Sequence, residues 1–500
     1  MMKLMTRLAL KMMLVMVPIT IATSASAQTT DPAVAVVCGS KPGERQTCAA
    51  DTTGGVTLVR STGAVSCELG KSWGFDEKNI WVRDGCSAEF SLAKKAAGGK
   101  QFGTFTPGKG LQVANTEYGD LNIRVFAYAR YLNQRALDPT FTDSFGKTSA
   151  VKQRQDIQFN KAMVFFSGWT MSPRLLYTAY LWTANTSQGQ SAQVVVGGSF
   201  AYRFNPHAVL GVGITSLPGV RSTEGQFPFW LGADQRLIAD EYFRPSFTTG
   251  IFARGEFTKT LRYSAMWGDN LSQLGVDAGQ LGNDMSTVSG ALIWMPTTGE
   301  FGATNGFGDF EHHEKVATRI GGHYTRSDED RQSQPGTETI ENTQIRISDG
   351  NIVFTPNLFG PGINITDVVY QMESVDAGVK YKGFALEGEF YWRQLQNFRG
   401  TSVDSLPFDH LSDTGFQLQA SAMVMPKQLQ LYVSGSKIFG DYGDPSDVRF
   451  GVNLFPWKNQ VVTWNTEFLY LNRSPVGYNS VPFPVGGNGL VFHSNFVINF

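Results

Sequence analysis

Residues 490–500 read LVFHSNFVINF. Taken in steps of two, Leu490, Phe492, Ser494, Phe496, Ile498 and Phe500 share one face, and Val491, His493, Asn495, Val497 and Asn499 share the other. That is a β-strand with one apolar side. A strand rises about 3.3 Å per residue, so roughly 9 to 11 residues cross a bilayer, and this stretch has that length with an aromatic residue last. The alternation predicts a membrane-crossing strand.

The composition agrees with that expectation. The 42 Lys and Arg against 43 Asp and Glu exclude a general nucleic-acid binder. Only 17% of residues are charged, 12% are aromatic and 54 are glycine, a balance suited to turns and interfacial rings. No run of 18 apolar residues occurs, which excludes a helical membrane protein. A membrane β-barrel carries just this weak average hydropathy, because only every second residue meets lipid.

From Gly119 onward, short connections separate alternating segments: MSPR (171–174), NPH (205–207), KT (259–260), KG (382–383), MPK (425–427) and PWKN (456–459). They predict hairpin turns. Longer polar loops lie between them, and the alternation of long and short connections is that of an outer-membrane barrel. Sixteen strands follow, near 119–132, 155–170, 174–185, 192–204, 207–216, 246–258, 260–270, 285–296, 314–326, 366–381, 384–398, 414–424, 428–438, 446–456, 459–472 and 488–500. The strand-like ENTQIRISDGNIVF (341–354) is assigned to one long loop, because spanning there would move the KG turn to the loop side and leave an odd total. The fold class is therefore all-β: a 16-stranded antiparallel transmembrane β-barrel over 119–500, preceded by a small disulfide-stapled β-rich domain.

Upstream, Lys3, Arg7 and Lys11 precede an apolar run from Met12 to Ala22, and Ala25-Ser26-Ala27 offers small-x-small cleavage. Residues 1–27 read as a signal peptide. All four cysteines, Cys38, Cys48, Cys67 and Cys86, fall in 28–92, which predicts two disulfides in an exported domain too small to build its own core. Four cysteines allow three pairings, and sequence does not choose among them. No CxxC pair or nearby histidine supports a metal there. Trp73 and Trp81 could stack on a sugar, although two tryptophans in so small a domain more commonly form its core. Residues 93–118, rich in Lys, Gly and Ala, read as a flexible linker.

Three resemblances extend the reading. The terminal Phe500 on its alternating strand resembles the signal read by the outer-membrane barrel-assembly machinery. The pattern Cys, Cys, Trp-Gly, Ile-Trp-Val, Gly-Cys across 34–92 is similar to a small exported bacterial domain of uncharacterised role. HYTRSDEDRQ (323–332), ENTQIRISDG (341–350) and VDAGVKYKGFALEGEFYWRQLQNF (375–398) resemble the phosphate-selective porin group. That resemblance implies a homotrimer of sixteen-stranded barrels whose third loop folds inward to make a constriction. It would bring Arg221, Glu224, Asp234, Arg236, Asp240, Glu241 and Arg244 to the narrow zone, where facing charges set up a transverse field. The group's phosphate binders carry lysine in this loop; residues 217–246 contain none.

Assigning the more apolar parity of each strand to lipid leaves basic residues facing inward. They are Arg124, Arg130, Arg203, Arg254, Arg262, Lys315, Arg319, Lys380, Lys382, Arg393 and Arg449, and they outnumber Asp156, Glu256, Asp376, Glu387, Glu389 and Glu467. The expectation is an anion-preferring channel for small hydrophilic solutes in the bacterial outer membrane, with the cysteine-bearing domain in the periplasm. No cofactor or metal is expected. His312 and His313 in EHHEK lack HExxH spacing, and no glycine-rich loop opens a helix, so nothing nominates an enzyme. A barrel-anchored protein whose small domain grips the cell wall or an envelope partner is the other class.

Overall fold

The computed structural model describes residues 34–52, 56–63, 65–68, 71–76, 78–92, 103–106, 109–184, 193–223, 230–271, 285–302, 306–332, 340, 342–477 and 483–500. The expected signal peptide lies outside the described residues, as does Glu224. The described chain falls into two compact units, divided at residues 99 and 100.

The smaller unit holds two three-stranded antiparallel sheets. One orders Val34–Gly39, Ser87–Leu92 and Val56–Ser61; the other orders Arg45–Ala49, Asn79–Arg83 and Trp73–Phe75. Disulfides join Cys38 to Cys48 and Cys67 to Cys86. The core is little more than Trp73, Ile80, Val82, Ala88, Phe90 and Leu92 around buried Cys38 and Cys86, so the cross-links carry stability that burial alone cannot supply in so short a segment. Trp81 is only half-buried, with Arg45 4.6 Å and Arg83 5.9 Å from its ring.

The larger unit is a closed barrel. Its strands are β1 (Gly119–Leu137), β2 (Gln155–Thr170), β3 (Ser172–Ala184) and β4 (Gln193–Asn205). They continue as β5 (Ala208–Ser216), β6 (Phe247–Thr258), β7 (Leu261–Gly268) and β8 (Thr287–Trp294). The far wall is β9 (Ala317–Asp330), β10 (Asn364–Tyr381), β11 (Phe384–Thr401) and β12 (His410–Met425). Last come β13 (Leu429–Phe439), β14 (Ser446–Leu454), β15 (Val462–Asn472) and β16 (Gly489–Asn499). Each pairs antiparallel with the next, and β16 pairs with β1 to close the ring, so all sixteen expected strands are present. Closure gives every strand of the wall a partner on both sides.

The closing strand shows how sequence sets the wall. Leu490, Phe496 and Phe500 are 43%, 47% and 42% exposed on the outside, while Val491, His493 and Asn495 are 0% exposed within. At Lys382 and Gly383 both φ values are positive, 46° and 85°, the backbone that a two-residue hairpin needs to match strand twist.

Two connections depart from expectation. Residues 295–302 and 306–316, at the short-turn end between β8 and β9, do not make a tight turn; they fold into the barrel and bury Phe301 and Asp309. Within the segment read as a linker, Phe105–Thr106 and Gly110–Thr116 are strands, and Leu111 to Thr116 pair with β1 from Ile123 back to Gly119. The physical reason is geometric. Phe500 exchanges backbone hydrogen bonds with Val125 at 2.6 and 3.0 Å, so β1 runs on past the end of β16 and its exposed ladder takes residues 110–116 as a partner.

Candidate functional site: the barrel lumen

Residues 217–223 and 230–246 of the third long loop enter the barrel. Its helix α1 (Ile238–Phe243) is buried throughout and packs on β11 to β14. The free amides at its start are met by wall acceptors: Ile238 N donates to Asp447 at 3.4 Å and Ala239 N to Ser436 Oγ at 3.1 Å. Phe243 stacks on Tyr391 with centroids 5.0 Å apart and planes 9° apart. Loop 331–363, as expected non-spanning, adds Ile345, Ile347, Val353 and Phe354 to the same apolar cluster.

The loop's six described charges do not face one another across open water. Arg221 forks onto Glu387 with Nε and Nη2 at 3.0 and 2.8 Å, and its backbone N–H donates to Glu389. Asp234 receives Tyr128 Oη at 2.8 Å and Lys161 Nζ at 2.7 Å. Arg244 forks onto Glu241 at 2.9 and 2.8 Å. Arg236 lies 4.1 Å over Trp230, donates to Ser222 Oγ, and sits 3.6 and 3.7 Å from Asp240 and Glu241. All six are at most 9% exposed. The expected transverse field is therefore replaced by internal pairing, because a charge moved out of water must be matched or neutralised. Burial pushes the Asp240 carboxyl up to about 7, against the pull of Arg236, and pushes the Arg236 guanidinium down to about 10.

Five of the expected inward basic residues are likewise spent on packing. Arg130 donates to Asn495 at 2.6 Å and to the Ala233 carbonyl at 2.9 Å. Arg319 forks onto Asp376 at 2.6 and 3.1 Å, with His323 Nε2 2.9 Å from the same carboxylate. Lys380 donates to the carbonyls of Phe301 and Gly306 in the 295–316 segment. Arg393 pairs with Asp413, and Arg449 with Asp447 at 2.7 Å and Glu467 at 3.8 Å. Lys315 lies in the 295–316 connection and Lys382 on the exposed 382–383 turn, so neither belongs to the wall.

The open side of the lumen runs along β1 to β8. Two cavities of about 440 and 340 Å³ share Thr215, Ser216, Thr223, Phe252 and Arg254. Arg254 and Arg262 line the one nearer the short turns, and Arg124 and Arg236 join Arg254 around the other. Arg203 is exposed on the inward face of β4, beside Arg254. Arg262 donates to the Gly299 carbonyl at 3.1 Å, and Arg124 lies 4.2 Å over Phe165. Among the described residues that line these cavities, Glu256 is the one carboxylate.

Three partners escaped the sequence reading. Lys161 turns inward because the pairing of β2 with β1 slips between Phe159 and Lys161, a bulge that swaps the inner and outer parities for the rest of the strand. Met163 and Phe165 follow it inside. Asp447 shares its parity with Arg449 and was legible from that spacing. Asp413 stands on a stretch of β12 that begins earlier than the alternation suggested.

A family described as a protein of unknown function, DUF3011, matches residues 19–117. No curated protein matches the chain. Among solved structures, the chain is similar to outer-membrane expressed OmpT of Vibrio cholerae, at 11% identity and TM-score 0.47, covering 77% of this chain and 99% of that one. It is similar to the anion-selective porin from Comamonas acidovorans, at 7% identity and TM-score 0.48, covering 76% and 100%. The outer membrane channel DcaP of Acinetobacter baumannii aligns at 8% identity and TM-score 0.46, covering 77% and 99%. The chain's own hydrogen-bonded ladder places its larger unit as a closed, sixteen-stranded antiparallel barrel.

Proposed function

We propose that the protein is an outer-membrane porin: a barrel that passes small hydrophilic solutes and prefers anions. The observation that carries this reading is the uneven lumen. The half along β9 to β14 is filled by paired charges and apolar loop residues, whereas Arg203, Arg254 and Arg262 stand at the open half, where Glu256 is the one carboxylate among the described residues that line its two cavities. A fixed positive excess beside a narrow, low-dielectric route raises the local concentration of anions. Apolar rings on the outside of the wall support lipid as its surroundings.

The long loops are assigned to the outside and the short turns to the periplasm. The cysteine-bearing unit leads into β1 at the short-turn end and is assigned to the periplasm with them. The barrel-assembly machinery as a partner and a homotrimeric state belong to the same proposal, and both rest on resemblance. The filled half-lumen favours one other reading, a barrel that serves as an anchor for the small unit. Planar-bilayer recording separates the two: a porin shows open steps, and an anchor shows none. Under an about tenfold KCl gradient at low ionic strength, where screening is weak, the zero-current potential should carry the anion-selective sign. A cation-selective sign would defeat the anion preference.

A further inference from the structure

The cavity that Ser222, Thr223, Trp230 and Arg236 share with strands β1 to β6 has a lining that a general anion route does not need. Three inward rings and the first ring of β6 run in sequence: Phe165 to Tyr180 at 6.2 Å, Tyr180 to Trp182 at 6.1 Å, and Trp182 to Phe247 at 6.0 Å with planes at 90°. Arg124 lies over the Phe165 end of this row. Arg254 lines the same space, lies 5.5 Å over the Phe252 ring, and has no ion-pair partner among the described residues. The Trp182 Nε1–H is buried and meets no acceptor among the described groups.

Each feature asks for something different from a ligand. A guanidinium forks onto planar oxyanions. A buried N–H without an acceptor is costly, so it favours an occupant that supplies a lone pair. A row of tilted rings favours another flat ring, offset or edge-on. Inorganic phosphate meets the first two demands and leaves the rings against a strongly hydrated ion. A neutral sugar meets the third and leaves the guanidinium unmatched. From this conjunction we infer that the cavity is a binding site for a small aromatic carboxylate of benzoate size, its carboxylate toward Arg254 and its ring along the Phe165 to Phe247 row. The inference rests on the channel reading and names the solute class for it.

The test uses the full-length protein in planar bilayers at constant KCl, with benzoate, acetate, benzamide or inorganic phosphate added to one side. Benzoate should interrupt the current at a half-blocking concentration about tenfold below that of acetate, the factor that one ring–ring contact supplies, and about tenfold below that of benzamide, which keeps the ring but lacks the charge that strengthens the guanidinium's hydrogen bonds. Arg254→Gln and Trp182→Phe should each raise the benzoate value several-fold. Equal potency of benzoate and acetate overturns the inference, as does equal potency of benzamide or stronger block by phosphate. Absence of any KCl current counts against the channel reading instead. Calorimetric titration of the detergent-solubilised protein with benzoate then still decides the site: heat that is lost in Arg254→Gln supports it, and no heat overturns it.

Discussion

Replacing Arg393 with Met should loosen the inner loops without dissolving the barrel. The Arg393 Nη2 donates to Asp413, to the Tyr242 hydroxyl and to the Arg346 carbonyl, the last at 2.7 Å, and the guanidinium lies 4.0 Å over the Tyr242 ring. One side chain of β11 thus ties together β12, helix α1 and loop 331–363. Arg393 is 2% and Asp413 3% exposed. Removing the arginine leaves a buried carboxylate whose remaining donor is the Tyr242 hydroxyl at 3.1 Å. Breaking one partner out of a buried pair costs about 3 to 5 kcal/mol. At 1.4 kcal/mol per factor of ten, the population with these loops undocked should rise by about two to three and a half powers of ten. The wall itself is a backbone ladder of sixteen strands, so its thermal transition should move little. Single-channel recording reads the change as frequent excursions to higher conductance. The double variant Arg393→Met with Asp413→Leu removes both charges, which is often nearly neutral against an apolar pair, and should quieten the trace again. A single variant as quiet as the parent, or a double variant noisier than the single, would refute the reasoning.

Other outcomes follow from the same structure. Deleting Phe500 removes the backbone exchange with Val125 and the last outward ring, so heat-modifiable barrel in the outer membrane should fall; normal yield sinks the assembly assignment. Peptide mapping should find Cys38 linked to Cys48 and Cys67 to Cys86, and reduction should unfold residues 34–92 while the barrel, which has no cysteine, keeps its transition; free thiols in the exported protein would contradict this. Asp240 has its carboxyl raised from 3.8 to about 7 by burial, so a docked loop is favoured at low pH and loses that support as pH climbs from about 4 through 7. Conductance noise should therefore grow between pH 5 and pH 8, and Asp240→Asn should flatten the dependence; an unchanged slope in that variant argues against Asp240 as its source.

Alternation by itself determined the wall. Lipid rejects polar side chains and unpaired backbone groups, so every second residue had to be apolar over each crossing. That requirement is written locally, strand by strand, as in Leu490 to Phe500. The sixteen strands and the non-spanning stretch over 342–354 were legible for this reason. The lumen obeys no comparable local rule. Whether an inward charge stays free depends on what stands opposite it, and opposite residues are far apart in sequence: Arg319 and Asp376, Arg393 and Asp413, Arg221 and Glu387. Parity could nominate Arg319 and Arg254 alike, yet one is buried against a carboxylate and the other faces open space. A single unpaired residue at the β2 bulge carried Lys161 from the expected lipid face to Asp234. Pairing of the cysteines, and the use of residues 110–116 to cover the free edge of β1, were likewise settled by which groups the fold brought within reach. Strand faces are set by solvent, which acts on each residue separately, whereas charge and edge pairing depend on distance, which only the closed tertiary structure supplies.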